Sequence, residues 1–281
     1  MKLLRVGPAG NERPAMLDAE GVLRDLSGHI TDITWAELSP AGLATLGQLD
    51  PTTLPALDPG LRRGPPVAAF SRILCVGLNY LDHAREVDLS PPSEPTLFMK
   101  GCFATGPNDP VTLPRGAEKG DWEAELGIVI GTGGLYIPRA QALEHVAGYC
   151  VVNDLSERCY QMERGGQWTK GKSFPGFAPV GPWLVTPDEA GDIANKAIWL
   201  SVNERRFQDS STANMIFGVE EIVAYASLFF ELRPGDLIAT GTPAGVGLGQ
   251  KPPVFLQHGD VIELGIEGLG SQRQEISAWR E

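Results

Sequence analysis

The stretch Asp121-Trp-Glu-Ala-Glu-Leu-Gly-Ile-Val-Ile-Gly131 is an apolar, β-branched run entered through two carboxylates. A strand alternates its side chains between faces, so Glu123 and Glu125 would point the same way, about 6–7 Å apart along the chain. Two like charges held side by side repel, and a fold keeps them chiefly where something cationic sits between them. Carboxylate oxygens suit Mg²⁺, Mn²⁺ or Ca²⁺ better than zinc. The competing reading of the spacing is a solvent-exposed strand end with two hydrated glutamates.

The 281 residues can hold one large domain, or a small one followed by a larger one. The 34 glycines and 23 prolines favour turns and short strands over long helices. A net charge of −12 argues against a nucleic-acid partner, which would require basic patches. No apolar run approaches the roughly 20 residues of a membrane span, and the first residues lack a signal-peptide apolar region. The cysteines at 75, 102, 150 and 159 show no metal-type spacing. Reduced thiols in a cytoplasmic protein are the expectation.

Residues 1–68 read as a small N-terminal domain of short strands, closed by a Pro/Gly-rich linker at 57–66. Residues 69–281 read as a larger unit with a strand running into a loop over 72–80 and strands near 96–100, 111–113, 148–154, 180–186, 198–203, 236–242 and 259–266. Helical patterns cover 138–146 and 212–232, the latter with Val219, Ile222, Val223, Ala226 and Phe230 on one face. Many short strands and few helices point to a β-rich α+β fold.

Chemically useful residues concentrate in the larger unit. In Asp82-His-Ala-Arg-Glu86, a helical turn would let Glu86 touch His83, fixing its tautomer and raising its basicity. Asp154 ends an apolar strand and is a third oxygen donor. Arg158, Gln161, Arg164, Lys170 and Lys172 gather positive charge around Gly165-Gly166, suited to an anion or a metal-bound carboxylate. Pro243-Ala-Gly-Val-Gly-Leu-Gly249 could offer backbone N–H groups to an anion, but matches neither a P-loop nor a dinucleotide fingerprint.

Collected in order, these motifs resemble the fumarylacetoacetate hydrolase family across about residues 70 to 270. The motifs are Val-Gly-Leu-Asn-Tyr with His-Ala-Arg-Glu, Asp-Trp-Glu-Ala-Glu-Leu-Gly, Asn-Asp-Leu-Ser-Glu-Arg, Gln-Trp-Thr-Lys-Gly-Lys-Ser-Phe, Pro-Gly-Asp-Leu-Ile-Ala-Thr-Gly-Thr-Pro and Gly-Val-Gly. The N-terminal unit and Glu-Arg-Gly-Gly-Gln-Trp look like the branch of ureidoglycolate lyase and 2,4-diketo-3-deoxy-L-fuconate hydrolase. The resemblance implies a mixed β-sandwich roll with a small N-terminal α+β domain, and a homodimer. It also implies Mg²⁺ or Mn²⁺ on Glu123, Glu125 and Asp154, with Ca²⁺ as a crystal substitute. His83, Glu86 and Lys172 match the family's catalytic residues; Arg158, Gln161, Thr242 and Tyr80 match its substrate side.

The implied chemistry is metal-dependent hydrolysis of the C–C bond of a 2,4-diketo acid to pyruvate and a carboxylic acid. The same site could decarboxylate oxaloacetate, isomerise a 2-oxo-enoate or cleave ureidoglycolate, and a non-catalytic 2-oxo acid binder is a separate class. Three departures from the branch bear on substrate. Pro175-Gly176 stands where an Asp-Thr pair is usual, Phe103 sits in a shortened Lys100–Gly106 segment, and Glu204 replaces a turn glycine. Phe103 and Phe174 together predict a less polar pocket than a sugar-derived substrate wants.

Overall fold

A computed structural model describes residues 1–280. Its main sheet has nine strands. They run in the order Leu23–Asp25, Arg13–Leu17, Lys2–Val6, Val180–Val185, Val146–Asn153, Ala124–Ile130, Asp236–Ala239, Arg72–Gly77 and Thr96–Lys100. Neighbours are antiparallel except Asp236–Ala239 beside Arg72–Gly77. A second sheet orders Arg205–Ser211, Ala197–Val202, Val261–Ile266, Gly270–Ser277 and Val111–Thr112.

The two sheets share a core. Ala124, Leu126 and Ile128 of the long sheet lie in one buried cluster with Ile198, Leu200, Ile262 and Leu264 of the other. The opposite face of the long sheet, carrying Cys75, Val129, Val152 and Leu237, is covered by Leu26, Ile33, Leu38 and Leu46. Residues 1–68 therefore lend three strands to the sheet edge and supply the cover of its outer face. This is the β-rich α+β architecture expected from the many short strands, with the mixed sheet that the resemblance implies. Among the described residues no helix is long and apolar enough to cross a membrane, and all four cysteines are unpaired.

Two strands of the second sheet escaped the pattern reading. Gly270–Ser277 turns Gln272, Gln274 and Ile276 inward, so its buried face is mostly amide rather than hydrocarbon. Those amides are satisfied: Gln272 Nε2 donates to the Val151 carbonyl at 2.7 Å, and Asn153 Nδ2 donates to Gln274 Oε1 at 2.9 Å. Arg205–Ser211 was hidden by its charged, exposed start.

The helix expected over 212–232 is shorter. A single 3₁₀ turn covers Thr212–Asn214, and the α-helix runs Val219–Phe229 after Gly218. Val219, Ile222, Val223 and Ala226 are buried as the spacing predicted, while Phe230 lies just past the helix end. The expected helix at 138–146 is a 3₁₀ segment, Arg139–His145. At the turn where Glu204 replaces a glycine, Asn203 (φ 50°) and Glu204 (φ 66°) both take the left-handed conformation that a two-residue type I′ hairpin demands.

Candidate active site

Glu123 stands just before the strand Ala124–Ile130, Glu125 lies within it, and Asp154 follows the neighbouring strand Val146–Asn153. Strand parity sends Glu123 and Glu125 away from the inter-sheet core that receives Ala124 and Leu126. The antiparallel pairing of these strands, and the Asp154 N–H donated to the Glu123 carbonyl at 2.9 Å, bring the third acid alongside. One oxygen from each carboxylate lies within 4.8 Å of the others, and all three residues are buried. The hydrated-strand-end reading is thereby excluded.

Cations close around this cluster. Lys172 Nζ is 2.6 Å from Glu123 Oε2 and 2.7 Å from Asp154 Oδ2. Arg158 Nη2 is 2.7 Å from Glu123 Oε1, its Nε is 2.8 Å from Asp121 Oδ2, and its Nη1 donates to Gln161 Oε1 at 2.9 Å. Lys100, fully buried, pairs with the other oxygen of Asp154. Burial alone would raise the Glu123 carboxyl, but the Lys172 and Arg158 charges outweigh it and hold it at about 2. Burial likewise opposes the charge on Lys172, yet Asp154 and Glu123 keep it protonated.

Glu125 is the exception. Its carboxylate accepts the Gly241 N–H at 2.8 Å and, among the described residues, has no ion-pair partner. Burial first, then the charges of Asp154 and Glu123, push its carboxyl well above the ordinary range. Four buried acids (Asp121, Glu123, Glu125, Asp154) face three buried cations (Lys100, Arg158, Lys172), so full ionisation of the acids would leave one negative charge uncompensated. An all-oxygen donor set with surplus negative charge fits a hard divalent cation.

The helix Leu81–Glu86 places His83 and Glu86 one turn apart, with Nδ1 and Oε2 separated by 2.9 Å. Because a carboxylate only accepts, Nδ1 carries the proton and Nε2 is left as the acceptor. The glycine-rich loop does present N–H groups to anions, and the anions are the chain's own side chains. Gly245 N–H donates to Glu86 Oε1 at 2.9 Å; Gly247 and Leu248 donate to Asp121 at 2.7 and 3.0 Å. A β-carbon on Gly247 would lie 2.0 Å from the Val254 carbonyl, so only glycine lets this loop approach.

His83, Glu123, Glu125, Arg158, Gln161, Lys172 and Thr242 line one cleft of about 180 Å³. Tyr80 is not on its lining: it is wholly buried, and its hydroxyl has no partner. The Thr242 hydroxyl donates to the Ala124 carbonyl at 2.9 Å and accepts from Gln208 Nε2 at 2.7 Å. Arg164 lies over the Tyr160 ring and Lys170 bonds the Arg164 carbonyl, so the basic run divides, with Arg158 and Lys172 inside and these two outside.

Phe103 and Phe174 do not shape the cleft. Phe103 is 92% exposed on another surface, and Phe174 packs against the core. The apolar lining comes instead from Val87, Leu89, Phe98, Met162, Trp168 and Leu248. Gly176, in the Pro175-Gly176 turn, adopts φ 83° and also lies off the cleft lining. Lys100 and Gln208 went unnoticed in the sequence, because a single Lys at a strand end and a single Gln in a polar strand carry no local sign of burial.

The family description "Fumarylacetoacetate (FAA) hydrolase C-terminal" matches residues 72–277. A Burkholderia multivorans protein named "Putative hydrolase" is 51% identical over 282 residues, covering 100% of both chains. Fumarylacetoacetate hydrolase from psychrophilic Exiguobacterium antarcticum is 37% identical with a TM-score of 0.86, covering 99% of this chain and 100% of that one. Maleylpyruvate hydrolase from Sphingobium sp. SYK-6, in complex with manganese (II) ion and pyruvate, is 26% identical with a TM-score of 0.83 over 100% of both chains. By this match and this identity, the chain is an enzyme of the fumarylacetoacetate hydrolase family.

Proposed function

We propose that the protein is a divalent-metal-dependent hydrolase that cleaves the C3–C4 bond of a 2,4-dioxo acid, giving pyruvate and a carboxylic acid. The observation that carries this reading is one cleft lined by His83, the Glu123 and Glu125 carboxylates and Lys172, with Glu86 holding His83 from behind the lining. The manganese and pyruvate held by the maleylpyruvate hydrolase structure support it. Glu123, Glu125 and Asp154 would hold Mg²⁺ or Mn²⁺, which when bound supplies Lewis-acid charge and a template for the 1,2-dioxo end of the substrate.

The chain's own residues do the rest. His83 Nε2, free to accept because Glu86 holds Nδ1–H, takes a proton from water as the oxygen attacks the C4 carbonyl. The tetrahedral adduct collapses, the C3–C4 bond breaks, and its electron pair is left on C3 as the pyruvate enolate. Lys172, held protonated by its acidic neighbours, offers fixed positive charge to that developing anion. His83 returns its proton to C3, and the acyl fragment leaves as the carboxylic acid. Gln161, whose Oε1 is engaged by Arg158, keeps its amide N–H groups for the substrate. Tyr80, buried off the cleft, has no part in this scheme.

The reading keeps the enzyme in the cytoplasm, supported by its four unpaired cysteines, and as a homodimer, as the family resemblance implies. The test is pyruvate release from a panel of 2,4-dioxo acids with Mg²⁺, Mn²⁺ or EDTA, run beside oxaloacetate decarboxylation. Metal-dependent pyruvate release that His83→Ala abolishes is the expected result. Wild-type turnover by His83→Ala with metal bound would overturn it, and exclusive decarboxylation would move the enzyme to a different reaction class.

A further inference from the structure

Resting on that reading, we propose that the substrate's acyl tail is apolar and carries no second charge, and that Leu89, Met162 and Trp168 select it. The cleft has two chemically distinct parts. Its polar part is Glu123 and Glu125 with Lys172, Arg158, Gln161, Thr242 and His83. An apolar wall starts at that cluster: Lys172 Nζ lies 5.3 Å from the Phe98 ring centroid, and the Trp168 ring meets Phe98 edge-on at 5.4 Å. Met162 continues the wall directly after Gln161, and Leu89 faces the same cleft from beyond the His83 helix.

Trp168 is seated by the backbone. A β-carbon on Gly77 would lie 2.5 Å from its ring, so the residue ending the strand Arg72–Gly77 has to be glycine for the indole to rest there. Leu89 and Met162, both on the cleft lining, are 52% and 45% exposed, so apolar surface there is left uncovered. A tail that covers it gains the ordinary free energy of apolar burial.

Charge points the same way. The cleft's cations are Arg158 and Lys172, and both are already paired, with Asp121, Glu123 and Asp154. His83 is held by Glu86. Among the described lining residues no cation remains to meet a carboxylate at the far end of the tail. Such a group would be desolvated against Phe98 and Trp168 without a partner, which is costly.

The experiment compares kcat/KM, with Mg²⁺, for straight-chain acylpyruvates from acetyl to hexanoyl. It adds a shape-matched pair, 4-methylpentanoylpyruvate and succinylpyruvate, in which an isopropyl group stands in for the terminal carboxylate. The expected result is a rise of about fourfold per added methylene and at least a roughly 10²-fold preference for 4-methylpentanoylpyruvate. Met162→Lys should narrow that preference by raising the succinyl rate. A flat length series, or succinylpyruvate turned over as well as its partner, would overturn the tail inference while leaving the hydrolase reading intact.

If no 2,4-dioxo acid releases pyruvate, the hydrolase reading fails, and calorimetry with 2-oxohexanoate and 2-oxoadipate tests the tail separately. Tighter binding of 2-oxohexanoate supports the inference; equal or tighter binding of 2-oxoadipate, or binding of neither, overturns it.

Discussion

Gly245 donates its N–H to Glu86 Oε1 at 2.9 Å, while the other oxygen of that carboxylate faces His83 Nδ1 at the same distance. A backbone amide 159 residues downstream thus orients the pair proposed as the general base. Gly249 crowds the same carboxylate: a β-carbon there would lie 2.3 Å from Glu86 Cδ. Gly249→Ala should push Glu86 off His83 and lower kcat, with metal affinity unchanged. Glu86→Gln should cost on the order of 10²–10⁴-fold in kcat. Steady-state kinetics with parallel metal titration checks both, and full activity in either variant would remove the loop from the mechanism.

Metal-free protein should carry two opposed pH slopes. Burial and the neighbouring acids raise Glu125 well above 4.5, so the folded state keeps a proton that the unfolded chain has released. Stability from this group therefore falls as pH rises beyond its unfolded value of about 4.5. Glu123, held at about 2, does the reverse: its contribution is present above 4.5 and lost as pH falls toward 2. In EDTA-treated protein, Glu125→Gln should abolish the first slope and leave the second. It should also abolish the rise in Tm that Mn²⁺ gives by binding the folded state. Thermal melts across pH, with and without Mn²⁺, measure all of this.

Lys100 neutralises one oxygen of Asp154 from a fully buried position. Lys100→Met leaves that oxygen without its cation, while Lys172 still holds the other. Removing one partner of a buried pair is expected to cost about 3 kcal/mol. Urea unfolding of the metal-free protein reads this directly, and an unchanged midpoint would show that Lys172 alone suffices.

Glu204 adopts φ 66° in a hairpin turn away from the cleft lining. A β-carbon in the left-handed region costs roughly 1–2 kcal/mol, part of which glycine gives back through unfolded-state entropy. Glu204→Gly should therefore stabilise the protein by about 1 kcal/mol with unchanged kcat/KM. Denaturant titration beside an activity assay checks it.

The Glu123–Glu125 pair and the His83–Glu86 pair were legible because each rests on short-range geometry, while Asp154, on the neighbouring strand, joined them through the family resemblance. Strand alternation aligns Glu123 with Glu125, and one helical turn aligns His83 with Glu86. The family motifs also marked Arg158, Gln161, Lys172 and Thr242 around them, but Lys100, Gln208 and the buried amides were not legible, because they come from distant strands with ordinary local sequence. The Gly270–Ser277 strand buries glutamines, and hydrophobic alternation has nothing to detect there. The glycine-rich loop announced that it would bind an anion without saying that Asp121 and Glu86 were the anions. Phe103 looked like pocket lining because it is aromatic, yet nothing local reveals which way a loop side chain faces.

The place of Asp236–Ala239 in the main sheet has a consequence for biosynthesis. This late strand sits between Ala124–Ile130 and Arg72–Gly77. Until it emerges, both early strands expose unpaired apolar edges, and at ordinary translation rates that interval lasts roughly 5–20 s. The long-range pairing that closes the sheet also slows folding after release. The nascent chain thus carries two open β-edges until that strand arrives, and the candidate site, which takes the Gly241 N–H that follows the strand, is incomplete before then.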